Sequence, residues 1–170
     1  MGTADPRALI RRLELMPGTL QGLALPLGDD ARWKPDAETW SALEICCHLA
    51  DEEREDFRPR LLSTLQSPDA AWQPLDLERV AERRGYNERD LREVIEDFRR
   101  EREASLGSLR SLQSPDWSNA HVHPKLGPIR AGDLLAAWAA HDAAHLRQIA
   151  SRLIDLAKRD AGEYHISYAF

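Results

Sequence analysis

Cysteine is almost missing from this 170-residue chain, which has only the adjacent pair Cys46 and Cys47. Neighbouring helical residues point about 100° apart, so a bridge between them would be strained and no disulfide framework is possible. A reduced, cytoplasmic protein is the natural expectation. A basic surplus is missing too. Lys and Arg number 23 against 29 Asp and Glu, a formal net charge of −6. That removes the electrostatic footprint of a nucleic-acid binder. No stretch is apolar and long enough to span a bilayer, and the opening "MGTADPRALIRR" lacks a signal peptide's basic-then-apolar pattern. It begins Met-Gly, but Pro6 stands where a myristoylation motif needs Ser or Thr. No membrane partner is expected. Alternating β-branched segments are scarce as well; the tail "YHISYAF" is the one weak strand candidate.

What the chain does contain is helical periodicity. Its length and 42% hydrophobic content fit one domain, residues 1–170, with a core of ordinary size. From Pro6 to Leu25, apolar residues recur at Leu9, Leu13, Met16, Leu20 and Leu23, in steps of three and four. Two prolines and a glycine then break the pattern. A second helix is expected from about Ala37, started by Pro35 and Asp36, to about Leu65. A short helical piece follows over Leu77 to Arg84, stopped by Gly85.

A third long helix opens after the candidate cap Asn87, with a stripe of Leu91, Ile95 or Val94, Phe98, Leu106 and Leu109. "QSPDWSNAHVHPKLGPIRAGD" reads as a loop. The fourth helix runs from about Ala131 to Lys158, with the stripe Leu134, Trp138, His141, His145, Ile149 or Gln148, and Leu153. Four long amphipathic helices make an all-α, four-helix bundle. The long connection from Gln66 to Tyr86 leaves room for a crossover.

His141 and His145 lie one helical turn apart and continue the apolar stripe, so both point into the bundle. Two buried imidazoles cost free energy unless something accepts their lone pairs. A divalent cation does so. The alternative is a pair of core histidines satisfied by nearby carboxylates. His48 on the second helix is the best third ligand, although it falls at the edge of an apolar face centred on Leu43, Cys47 and Ala50. A position at that edge would border a cleft.

Glu44, Asp51 and Glu52 lie on the face of His48, and Asp51 or Glu52 could orient it or relay a proton. Arg147 could hold a substrate carboxylate, an exposed helical arginine being its default reading. His121 and His123 could chelate through an i, i+2 spacing but are more simply read as solvated loop residues. His165 reads as a tail residue without a role. Cys46 and Cys47 share no face with His48 and are set aside as ligands. Trp40 and Trp138 read first as core. "HDAAH" is one methylene short of a metalloprotease H-E-x-x-H, because Asp142 replaces the glutamate.

"WSALEICCHLADEE", "RWKPDAETWS" and "HDAAHLRQI" together resemble the DinB/YfiT-like superfamily, in order and separation, over roughly Ala8 to Leu156. The resemblance implies an up-and-down variant of the four-helix bundle, commonly a homodimer. It also implies a divalent metal held by His48, His141 and His145, with zinc or nickel foremost and iron or manganese as alternatives. The activity it implies is transfer of a low-molecular-weight thiol to an electrophilic small-molecule substrate. A hydrolase of small esters or amides and a non-catalytic metal-binding bundle are the competing readings.

Overall fold

The structure is a computed structural model and describes residues 4–169. Six α-helices and a two-stranded hairpin order as α1 (Pro6–Ala24), α2 (Ala42–Glu52), α3 (Arg58–Gln66), α4 (Val80–Arg83), α5 (Leu91–Ser111), β1 (Ala120–His123), β2 (Gly127–Arg130) and α6 (Ala131–Ala161). A π-helical segment, Glu53–Phe57, joins α2 to α3, so the two form one long rod. With that rod counted once, four long helices make the expected bundle. Among the described residues no helix is long and apolar enough to cross a membrane.

Local chemistry fixes the helix starts. Asp5 accepts the Ala8 amide and Pro6 sits at the first position of α1, where its missing N–H costs nothing. At α2 the start lies later than the Pro35–Asp36 expectation. Ser41 accepts the Glu44 amide while the Glu44 carboxylate accepts the Ser41 amide at 2.8 Å, a reciprocal capping box. Asp36 instead closes a turn by accepting the Glu38 and Thr39 amides. The third long helix is capped by Asp90, which accepts the Arg92 and Glu93 amides. Asn87 serves elsewhere: it accepts from the Ser41 hydroxyl and donates to the Arg32 carbonyl, tying the approach of α2 to that of α5.

The core divides into two clusters that reveal helix direction. One holds Leu20 of α1, Leu43 and Ala50 of α2, Val94 and Phe98 of α5, and Ile149 of α6. The other holds Leu13 of α1, Phe57 and Leu61 near α3, Leu106 and Leu109 of α5, and Trp138 of α6. Going from the first cluster to the second, numbering rises along the α2–α3 rod and α5 and falls along α1 and α6. The directions are therefore up, down, down, up. The bundle is thus a variant of the up-and-down order, as expected, and the Gln66-to-Tyr86 connection is the crossover that parallel neighbours require. α1 packs on α5 and α6, diagonal to α2.

The expected loop before α6 contains a β-hairpin instead. Ala120 pairs with Arg130 and His123 with Gly127, the latter at φ 75°. A three-residue turn closed by a glycine in the left-handed region suits this geometry. With four residues per strand and Pro128 inside the second, no alternating pattern marks it in the sequence. The tail forms a 3-10 turn at Ser167–Ala169 rather than a strand, and Phe170 lies outside the described residues.

Candidate metal centre

Because α2 and α6 run antiparallel, His48 meets the pair on the opposite helix. His145 Nε2 lies 3.0 Å from His141 Nε2, and His48 Nε2 lies 3.4 Å from the same atom. One ligand atom from each ring can be chosen so that all three fall within 4.8 Å of one another. Nitrogens bound to one tetrahedral zinc at 2.0–2.1 Å are about 3.3 Å apart, so the two spacings to His141 Nε2 are those of ligands sharing an ion. His48 and His145 are buried.

Electrostatics keep the rings neutral. Burial, then the neighbouring His145, pushes His48 down to about 4. Burial, then His145 and His48, pushes His141 down to about 3. Burial lowers His145 also, opposed by its hydrogen bond to Gln148. A neutral imidazole has one N–H and one lone pair. His145 Nδ1 lies 2.8 Å from Gln148 Oε1, an acceptor, which assigns the N–H there and turns the Nε2 lone pair inward. His48 Nδ1 faces Glu52 Oε1 at 3.7 Å, which favours the same tautomer. A single N–H on His141 Nε2 can satisfy at most one of the two inward lone pairs, so at least one is left without a partner. The donor set therefore fits a divalent cation.

Around the rings the walls are mostly aromatic. Trp40 meets His48 edge-on, with centroids 5.0 Å apart. Phe57 sits 5.1 Å from His141 and stacks on Trp138 at 5.5 Å. A cleft of about 490 Å³ opens against His48 and His145, bounded also by Glu38, Trp40, Ile45 and Arg152.

Of the supporting candidates, Glu52 is beside His48. Burial, then the Asp56 carboxylate, pushes Glu52 up to about 8. Asp51 is engaged elsewhere, by Arg84, by Arg54 at 3.4 Å and by the Tyr86 hydroxyl. Glu44 is occupied by its cap and by Lys34 at 3.2 Å. Arg147 is exposed and does not bound the cleft; Arg152 does. His121 lies outside the cleft, where its Nδ1 donates to the Pro68 carbonyl at 2.9 Å and its ring stacks on Trp72. The Nδ1 of His123 accepts the Lys125 and Leu126 amides at the hairpin turn. His165 is exposed. Cys46 and Cys47 are free and buried, burial pushing the Cys47 thiol up to about 12.

Beneath the histidines lies a charged group that sequence reasoning missed. Arg102, fully buried, donates to Asp142 through both terminal nitrogens, at 2.7 and 2.9 Å, and to Glu53 at 2.6 Å. It also donates to the Leu13 carbonyl, and Trp138 Nε1 donates to Glu53 at 2.7 Å. Asp142 thus faces away from the cleft and is held as an ion-pair partner, which removes the protease-like base. A signal exists in the sequence: the α5 stripe skips from Phe98 to Leu106, and Arg102 occupies the position between.

Comparisons with known proteins agree with this architecture. The sequence profile of the DinB superfamily matches residues 12–149. No curated protein matches the chain. Among solved structures, YfiT from Bacillus subtilis superposes with a TM-score of 0.80 at 18% identity, covering 92% of this chain and 90% of its own. That protein is described as a probable metal-dependent hydrolase with an unusual four-helix bundle topology.

Proposed function

The chain belongs to the DinB superfamily, and from that premise we propose a metal-dependent enzyme acting on a small molecule, by transfer of a low-molecular-weight thiol to an electrophile. The observation carrying this reading is the convergence of three neutral imidazoles, two of which, His48 and His145, line a cleft. His48, His141 and His145 would hold the ion, zinc or nickel foremost. Three protein ligands leave a coordination position free, the mark of catalytic rather than structural sites. A divalent cation bound there supplies Lewis-acid activation of an incoming thiol or water.

The remaining work falls to the chain's own residues. Gln148 sets the tautomer of His145, so its inward lone pair stays available. Phe57 and Trp40 exclude water from two sides of the rings and lower the local dielectric. The net negative charge and the size of the cleft support a small-molecule substrate over nucleic acid. A homodimer and a cytoplasmic location belong to the same reading.

A second reading, hydrolysis of small esters or amides, is favoured by the likeness to YfiT. One experiment separates these readings. Metal content is measured on protein prepared without an affinity tag, for the wild type and for His141→Ala/His145→Ala. The wild type is then assayed with thiol plus 1-chloro-2,4-dinitrobenzene and with p-nitrophenyl esters. Stoichiometric metal in the double variant would refute the site. Ester turnover without thiol turnover would replace transfer by hydrolysis.

A further inference from the structure

Arg152 has no part in the metal centre, yet it lines the same cleft as His48 and His145. Its side chain is only 14% exposed, and Nη2 reaches Asp155 at 3.1 Å. The other two nitrogens, Nε and Nη1, are shut off from water and have no hydrogen-bond partner. A guanidinium has five donors in a rigid fork suited to carboxylate. Leaving buried donors without acceptors is costly, so most buried polar groups in native proteins are paired. Two of the three nitrogens of this guanidinium therefore lack an acceptor, and the residue lines a cleft.

Position sharpens the point. Arg152 lies seven residues beyond His145, two helical turns along the same face and about 10 Å further along the axis. Trp40 spans part of that interval, with its ring against His48. Glu38 stands at the rim, and Asp36 nearby has its oxygens taken up by Thr39 and the Glu38 amide. Together with Asp155 these acids make the mouth unfavourable to polyanions.

We propose that the cleft binds a small molecule carrying a single carboxylate, anchored by Arg152, with its reacting group about two helical turns away at the three imidazoles. The inference rests on the metal-centre reading above and names the substrate class for it. Trp40 supplies the apolar contact between the two ends. Arg152 is an anchoring residue and touches no reacting atom.

The test is a calorimetric titration of zinc-loaded protein with 6-mercaptohexanoate and with 6-mercaptohexan-1-ol, for the wild type, Arg152→Met and Arg152→Lys. The wild type should bind the acid at least about tenfold more tightly than the alcohol, the worth of hydrogen bonds to a charged group. In Arg152→Met the acid should fall to the level of the alcohol, with zinc content and alcohol affinity unchanged. Arg152→Lys keeps the charge without the fork and should lie between. Equal affinity for acid and alcohol in the wild type overturns the anchor, as does a preference that survives in Arg152→Met. If neither thiol binds, or no zinc is retained, the thiol and metal reading falls by itself. The pair hexanoate and hexan-1-ol then decides the anchor, and lack of preference for the acid overturns it too.

Discussion

Replacing Arg102 by Leu should be among the most damaging single changes available in this bundle. The guanidinium is fully buried, packs over Phe98 and Trp138, and donates four hydrogen bonds to Asp142, Glu53 and the Leu13 carbonyl. Its loss strands two buried carboxylates without a counter-charge. Breaking a buried ion pair by removing one partner costs roughly 3–5 kcal/mol. For a chain of this length each kcal/mol lowers Tm by about 2–4 °C, so a fall of roughly 6–20 °C is expected by differential scanning calorimetry. The triple change Arg102→Met, Glu53→Leu and Asp142→Leu removes all three charges, and should recover most of that loss because no ion is left unpaired. Trp138 Nε1 would lose its acceptor in the triple variant, which limits the recovery. A single variant melting within about 3 °C of the wild type, or a triple variant no better than the single, would refute the account of a charge network that is stable only when complete.

Acid should destabilise the metal-free protein early. His48 and His141 titrate near 4 and 3 in the fold against about 6.5 when unfolded, so the unfolded chain binds more protons between these values. Stability is therefore full above about 6.5 and falls as pH drops towards 4, by a few kcal/mol, each power of ten in proton affinity being worth about 1.4 kcal/mol. Urea unfolding in chelator at pH 7.5, 5.5 and 4.5 measures it, and a flat profile would contradict the buried, neutral state of the rings. Gln148→Leu should weaken zinc binding by about 10–100-fold, the usual worth of a group that orients a ligating histidine. Competition against a chromophoric chelator reads this directly; unchanged affinity would mean that Gln148 does not set the tautomer of His145.

Helical periodicity made the bundle readable, and it explains which site residues could be found. His141 and His145 share a face because four residues advance a helix by about one turn. The same arithmetic separates the two arginines. Arg147 is two residues past His145, about 200° around the helix, whereas Arg152 at seven residues returns to within about 20°. Reading the wheel two turns further would have selected Arg152. Asp51 and Glu52 could not be separated this way, since both lie within about 60° of His48. What separates them is Arg84 and Tyr86, which arrive from the crossover and hold Asp51. A contact across more than thirty residues leaves no mark in local spacing.

The π-helical segment carries the same lesson further. Leu49, Glu53, Phe57 and Leu61 are all buried, although steps of four on a regular α-helix drift by about 40° each. Over three steps the drift would reach about 120°, enough to turn Leu61 out of the core. A wider turn at Glu53–Phe57 advances fewer degrees per residue and takes back part of that rotation. Glu53 can then reach Arg102 while Phe57 still covers His141. Burial repeated at every fourth residue for this long is therefore a sign of a widened turn, and here the widened turn lies beneath the three imidazoles. The rod that presents His48 gives up regular geometry one turn later to seal the floor of the site, which is where such segments tend to occur.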